Sequence, residues 1–272
     1  MPERRIRRGG RATPRPKAPA GLLAVDVGNS ETVIGLFRGS DLAGFWRLTS
    51  RRLTADEAML LLHALRTQVG GWPAATASVL CSVAPQLTSA WQAALQRVLG
   101  QPPLEVNAAS AQSLRIRYRD KSAVGADRIA NALAARKHYG TPAIVVDLGT
   151  ATTFDCVSRS GEYLGGVIAP GVVTSSEELF RRAARLGRVE LRRPPRALGR
   201  STEESLQSGV LYGAAGLVDA LVRRLALEMK GTPHVIATGG LASTIAPECE
   251  TINVVDESLT LKGMKVLWEE HA

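Results

Sequence analysis

The residues best placed to do chemistry are two aspartates in similar settings. Asp26 lies in "AVDVGNSETVIGL" (24–36) and Asp147 in "VVDLGTATTFDCV" (145–157); each closes a β-forming run, with glycine two positions on and a second β-rich run behind. An Asp-x-Gly-[Asn/Thr] turn between two strands suits phosphate. Gly28 and Gly149 let backbone approach a ligand, Asn29, Ser30 and Thr150 offer donors, and successive turn amides form an anion-binding nest. A carboxylate repels phosphate, so Asp26 and Asp147 belong on a cation, and Mg²⁺ carrying ATP is the candidate. Asp-x-Gly also occurs in ordinary hairpins. Its use twice at matched positions favours the nucleotide reading.

Two further stretches join them. "VIATGGLA" (235–242) is a strand ending in Gly239-Gly240 before a helical run, either a plain strand-to-helix turn or a place where an adenosine or phosphate sits at a helix N-terminus. "AVGADRIANALAARKHYG" (123–140) reads as a helix with an apolar stripe of Ala126, Ile129, Ala130, Leu133 and Ala134. Asp127 in its first turn has two readings. It complements the helix dipole, or it accepts the proton of a substrate hydroxyl during phosphoryl transfer, a reaction governed by positioning and charge. His63, His138, His234 and His271 share no ligand spacing, and Cys81, Cys156 and Cys249 form no CxxC. No Ser/His/Asp signature, P-loop or GxGxxG is present.

The elements that must position these residues repeat. An offset of 121 places Leu22 over Ala143 and aligns the two stretches without a gap, Asp26 on Asp147, Gly28 on Gly149, Thr32 on Thr153 and Gly44 on Gly165. Each copy reads as a three-stranded meander. The first is followed by an amphipathic run Thr54 to Gln68, a strand Ala77 to Ser82, a helix Pro85 to Leu99 and a short strand near Leu104 to Asn107. The second is followed by helices around Gly171 to Arg185 and Thr202 to Met229, a strand Val235 to Thr238 and a terminal helix. The expected fold is α/β, with two actin-like (ribonuclease H-like) lobes from an internal duplication, a ligand cleft between them, and lobes at 21–120 and 121–272. A single α/β sheet is the plan expected of a chain lacking the repeat.

Composition, 45% hydrophobic over 272 residues, agrees with a packed globular chain. The net charge of +9 is concentrated in residues 1–20, where seven basic side chains face Glu3 alone, leaving +3 for the other 252 residues. That Arg-, Pro- and Gly-rich tail has too little apolar surface to offset its ordering entropy and reads as a disordered extension. A transit peptide and a weak polyanion-binding arm are the alternatives to a solvated tail; nucleic acid is otherwise not expected as a partner. The run 181–200, with eight arginines against Glu190, reads as a solvated helix and loop. No stretch has the length and apolarity of a membrane helix, so a cytoplasmic protein is expected.

Taken together, "DVGNS" (26–30), "VGADR" (124–128), "DLGTATTFD" (147–155), "GGVIAPGV" (165–172), "TEESLQSGV" (202–210), "ATGGLA" (237–242) and "SLTLKGM" (258–264) resemble the type III pantothenate kinase family, within the acetate and sugar kinase, Hsp70 and actin superfamily. The resemblance implies ATP-dependent phosphorylation of pantothenate, the first step of coenzyme A synthesis. It places ATP on Asp26, Val27, Gly28, Asn29, Ser30, Glu31, Thr32, Val33 and Thr150, with Gly239-Gly240 near the adenosine. Asp127 would be the proton acceptor. Asp147 would carry a monovalent cation, potassium or ammonium, and Asp26 would meet the Mg²⁺ of ATP. Tyr118, Gly125, Ala126, Asp127, Arg128 and Thr202 would line the pantothenate site of a homodimer. Departures from the family pattern are Asp120, Lys121 and Ala123 where Asn, Pro and Glu are usual, and Ala183 and Gly187 where Thr and Pro are usual. They keep a second expectation open, a non-catalytic nucleotide-binding regulator resembling the Bvg accessory factor branch.

Overall fold

The computed structural model describes residues 21–71, 76–183 and 189–272. The basic tail and Gly187 lie outside them. The first lobe is built on β1 (Gly21–Val27), β2 (Glu31–Arg38), β3 (Asp41–Thr49), β4 (Thr76–Ser82) and β5 (Leu104–Glu105), in the order β3-β2-β1-β4-β5. The second uses β6 (Ala143–Leu148), β7 (Ala151–Val157), β8 (Tyr163–Pro170), β9 (His234–Thr238) and β10 (Val254–Val255), in the order β8-β7-β6-β9-β10. Both are an antiparallel meander extended by two parallel strands. The duplicated two-lobe plan is therefore present.

Strand periodicity explains where the aspartates point. β1 and β6 are central strands covered on both faces, hence near-continuous apolar runs. On β1, Leu23, Val25 and Val27 enter an outer core under α1 (Ala55–Gln68) and α2 (Pro85–Leu99), while Leu22 and Ala24 face a layer shared by the lobes. Asp26 is next in that second set. On β6, Ile144, Val146 and Leu148 pack outward towards α5 (Thr202–Glu228), while Ala143 and Val145 face the shared layer, with Asp147 following.

Local signals set the helix ends. α1 starts at a capping box in which Thr54 and Glu57 exchange hydrogen bonds, and α2 has Pro85 at its start and a left-handed Gly100 (φ 76°) behind it. The shared layer holds α3 (Ala126–His138) and α7 (Leu259–His271). α3 is buried almost all round from Ala126 to Ala135, which its run of alanines permits. The two helices cross with backbone in contact: a Cβ on Gly263 would lie 1.8 Å from the Ala130 carbonyl oxygen.

The gapless repeat needs one correction. Three residues, Gly28 to Ser30, separate β1 from β2, whereas two, Gly149 and Thr150, separate β6 from β7. Thr32 stands opposite Val27 and Thr152 opposite Leu148, so the counterpart of Thr32 is Thr152 rather than Thr153. A one-residue slip would turn every side chain of β2 to the other face. The longer hairpin of the second copy, 158–162, restores the offset, since Leu36 pairs with Gly44 and Cys156 with Gly165. α4 spans Val172–Arg182, the expected end at Arg185 lying outside the described residues, and the short helix α6 (Ala242–Ile245) follows the Gly-Gly turn.

Candidate active site

Between the lobes lies a cleft of about 540 Å³, lined by the two Asp-Gly turns, Asp127, Gly239-Gly240 and the start of α7. In the first turn, the Gly28 amide donates to the Glu31 carbonyl at 2.9 Å, and a Cβ on Gly28 would sit 2.8 Å from that oxygen. Ser50 braces the turn, donating to the Gly28 carbonyl at 2.7 Å and pairing with Thr32 at 2.8 Å. In the second turn, the Gly149 amide donates to the Ala151 carbonyl at 3.1 Å. Thr150 donates from its hydroxyl to Ser30 Oγ at 2.8 Å, so the turns touch across the cleft.

Gly239 is required twice over. Its φ is +92°, and a Cβ there would lie 2.5 Å from Asp147 Oδ1. Gly240 faces open space bounded by Glu31 and Arg47, where a Cβ would stand 3.4 Å from Glu31 Oε2. The Gly-Gly turn therefore opens towards the first lobe.

Three carboxyls share this low-dielectric space. Burial pushes the Asp26 carboxyl up to about 7; Asp127 and Asp147 push the same way, while a Cys81 hydrogen bond and Arg47 oppose them. Burial and then Asp127 bring Asp147 to about 6, against Asn131 and Arg47. Asn131 donates to Asp147 Oδ2 at 3.2 Å and receives the Thr260 hydroxyl at 2.9 Å, so α3 and α7 jointly orient that carboxyl. Asp127 is also raised by burial, against the Arg128 amide, which donates to its Oδ1 at 2.8 Å. Both readings of Asp127 coexist geometrically. It complements the first turn of α3, whose Gly125 has no side chain to cap it, and it lines the cleft.

The donor set fits a hard cation. Carboxylate oxygens held partly out of water suit Mg²⁺ or an alkali ion, whose charge would offset their mutual repulsion. Among the described residues no three His, Cys, Asp or Glu side chains form a ready-made metal cage. Mg²⁺ is commonly held by one or two carboxylates with the remaining positions filled by phosphate and water.

A second constellation adjoins the first through Asp127. Arg128 is buried, its Nε 2.7 Å from Asp155 Oδ1 and its Nη2 3.1 Å from the Phe154 carbonyl. Tyr163 donates to the same Asp155 oxygen at 2.9 Å, and Asp155 Oδ2 has no partner among the described residues. Burial raises Asp155, while Arg128 and Tyr163 favour its charged form, and Arg128 and Asp155 pair through a single Nε–Oδ1 contact. Tyr118 lies beside Tyr163, with ring centroids 6.5 Å apart, and against Gly165.

The expected site residues thus divide. Asp26, Gly28, Asn29, Ser30, Glu31, Val33, Asp127, Asp147, Thr150, Gly239 and Gly240 line the cleft. Val27 lies in the outer core and Thr32 is buried beneath the turn, so their side chains shape it without facing the cleft. Tyr118, Gly125, Ala126 and Arg128 do not line it, and Thr202 is exposed in the first turn of α5. Asp120 caps the short 3₁₀ turn Lys121–Ala123 through Ser122, and Ala183 ends α4. Among the residues at the site that the sequence alone does not single out are Arg47, Asn131, Glu177, Glu257 and Thr260. Asn131 carried a signal, being four residues after Asp127 on one helix.

Comparison with known proteins agrees with this geometry. The family model for type III pantothenate kinase matches residues 22–224. A type III pantothenate kinase of Moorella thermoacetica is 46% identical over 252 residues, 92% of this chain and 99% of that protein. One from Desulforapulum autotrophicum is 47% identical over 253 residues, 92% of this chain and 97% of its own. Among solved structures, a ROK hexokinase from Thermus thermophilus shares the fold with a TM-score of 0.52 at 14% identity, covering 93% of this chain and 100% of that one. The activator of the 2-hydroxyisocaproyl-CoA dehydratase from Clostridium difficile does so at 0.54 and 11% identity, covering 92% and 96%. Nearly half of the aligned residues are identical in the Moorella and Desulforapulum proteins, over almost their whole length, and this chain belongs to the type III pantothenate kinase family.

Proposed function

We propose that this protein transfers the γ-phosphoryl group of ATP to the primary hydroxyl of pantothenate, giving 4'-phosphopantothenate, the first step of coenzyme A synthesis. The observation that carries it is the convergence of Asp26, Asp127 and Asp147 on one cleft between two glycine turns, in a chain of this family.

Phosphoryl transfer needs positioning and charge control more than covalent chemistry. The turn amides of Asn29, Ser30 and Thr150, with the Ser30 and Thr150 hydroxyls, bind the phosphates, and Gly239-Gly240 admits the adenosine. Asp127 orients the pantothenate hydroxyl and takes its proton; a carboxyl lifted by burial is better matched to that task than an ordinary one. Tyr118, Gly125, Ala126, Arg128 and Thr202 hold pantothenate. Asp26 receives the Mg²⁺ of ATP and Asp147 a potassium or ammonium ion. The chemistry these cations supply when bound is neutralisation of phosphate charge.

The lobes divide near residue 120, and the enzyme is a cytoplasmic homodimer. What supports the dimer is an open apolar groove of about 440 Å³ between α4 and α5, to which the exposed Leu179 and Leu217 contribute. Among the described residues no helix is long and apolar enough to cross a membrane.

ADP release with ATP and Mg²⁺, with and without pantothenate and with Na⁺ replacing K⁺, tests the reading. Pantothenate-dependent release that weakens without K⁺ is expected. ATP binding with no such release would bring the regulatory reading forward.

A further inference from the structure

The cleft has an unbalanced wall. Asp26, Glu31, Asp127, Asp147, Glu177 and Glu257 line it, and Arg47 is the one Lys or Arg among its described lining residues. A nucleoside triphosphate is a polyanion, and repulsion from carboxylates grows as the distance shrinks. Backbone amides and a divalent ion meet part of that charge. Arg47 is the side-chain cation in position to meet more.

Its present partner is weakly held. Arg47 Nη1 lies 2.6 Å from Glu31 Oε2, with the two side chains 28% and 46% exposed. A single-contact ion pair at that exposure is worth at most about 1 kcal/mol, so exchanging Glu31 for another anion costs little. Arg128 is the contrast, locked between Asp155 and a carbonyl in the core. Arg47 rises from β3 opposite Val33, and Glu31 opens β2 directly behind the phosphate turn. A Cβ on Gly240 would stand 3.6 Å from Arg47 Nη1, so the guanidinium reaches the second lobe's glycine turn. Arg47 also draws both Asp26 and Asp147 towards their charged forms.

We propose that Arg47 is the phosphate-binding cation of the cleft, parked on Glu31 when no nucleotide is bound and transferred to the phosphates when a nucleoside polyphosphate enters. The proposal rests on the kinase reading. A guanidinium suits the task because its fork of donors matches phosphate oxygens.

Calorimetric titration of the full chain with ATP, ADP and adenosine tests it, using wild type, Arg47→Met and Arg47→Lys. Arg47→Met should lose about tenfold or more in ATP and ADP affinity, as expected for one charge-assisted hydrogen bond, with adenosine affinity unchanged. Arg47→Lys should recover part. Equal losses for ATP and adenosine, or none, would overturn the assignment; the same comparison made with Arg47→Lys, whose smaller loss should again fall on ATP and ADP alone, is the readout that remains if Arg47→Met does not fold. A wild type that binds neither ATP nor ADP would bring down the kinase reading and this proposal together.

Discussion

The two Asp-Gly turns descend from one pattern, yet they differ in length and in what holds the carboxylate. Asp26 sits above a three-residue turn, beside Cys81 on the parallel strand β4, and a thiol is its hydrogen-bonding neighbour. Asp147 sits above a two-residue turn and receives an amide from Asn131, itself fixed by Thr260. An amide is a better donor to a carboxylate than a thiol. Burial raises both, Asp147 to about 6 and Asp26 to about 7, and the charge of Asp147 adds to the rise at Asp26. The same strand position thus yields two carboxylates with different hydrogen-bonding partners. Duplication supplied the symmetry, and the neighbours removed it.

The largest expected effect comes from the group between the two turns. Asp127→Asn should lower kcat by about a hundredfold or more while circular dichroism and ATP binding stay as in wild type, the loss typical of a missing general base. An unchanged ADP-release rate would remove Asp127 from the chemistry.

The aspartates themselves should show their difference in stability. A carboxyl whose folded pKa is raised keeps its proton in the native state at a pH where the unfolded chain has lost it. Its contribution to stability is therefore present at low pH and is lost as pH rises through the folded values, near 6 for Asp147 and 7 for Asp26. At pH 8 without cations, Asp26→Asn and Asp147→Asn should each raise stability by roughly 1–3 kcal/mol, Asp26→Asn by more. Denaturant titrations at pH 5 and pH 8 check this, and equal shifts at both would refute it.

Removing the amide that separates the two sites should sharpen the contrast. Asn131→Ala, and more weakly Thr260→Val, should raise the K⁺ concentration for half-maximal thermal stabilisation by about tenfold, the scale of a lost charged hydrogen bond, and leave the Mg²⁺ requirement unchanged. Equal loss of both cation responses would mean that Asn131 only packs α3. The smallest effect should follow Ser30→Ala, which severs the contact with Thr150 at an exposed position. About 0.5–1.5 kcal/mol of stability and a few-fold rise in KM for ATP are expected. A thermal melt and a kinetic titration measure both.

Much of the scaffold was legible locally. The helix Pro85–Leu99 was read to the residue, because a proline starts it and a glycine ends it. The capping box at Thr54 and Glu57 opens the preceding helix, Ala55–Gln68, as its residue types require. The repeat was legible too, but its register was not. A gapless alignment of sequences has no knowledge of turn length, and only strand pairing shows that Thr32 corresponds to Thr152. Arg47 was unremarked because it reaches the site through the β2–β3 pairing, and Thr260 because a separate helix carries it there.

What the sequence determined by itself is the alternation that turns Asp26 and Asp147 towards a common layer and the glycines that let backbone and ligand approach. Both are properties of a few consecutive residues and their dihedral angles. The tertiary structure decided which carboxylate receives an amide, how far burial raises each one, and which arginine is locked and which is free to change partners. Those depend on burial and on neighbours distant in the chain, such as Asn131 for Asp147 and Asp155 for Arg128, which meet only when the two sheets close on α3 and α7.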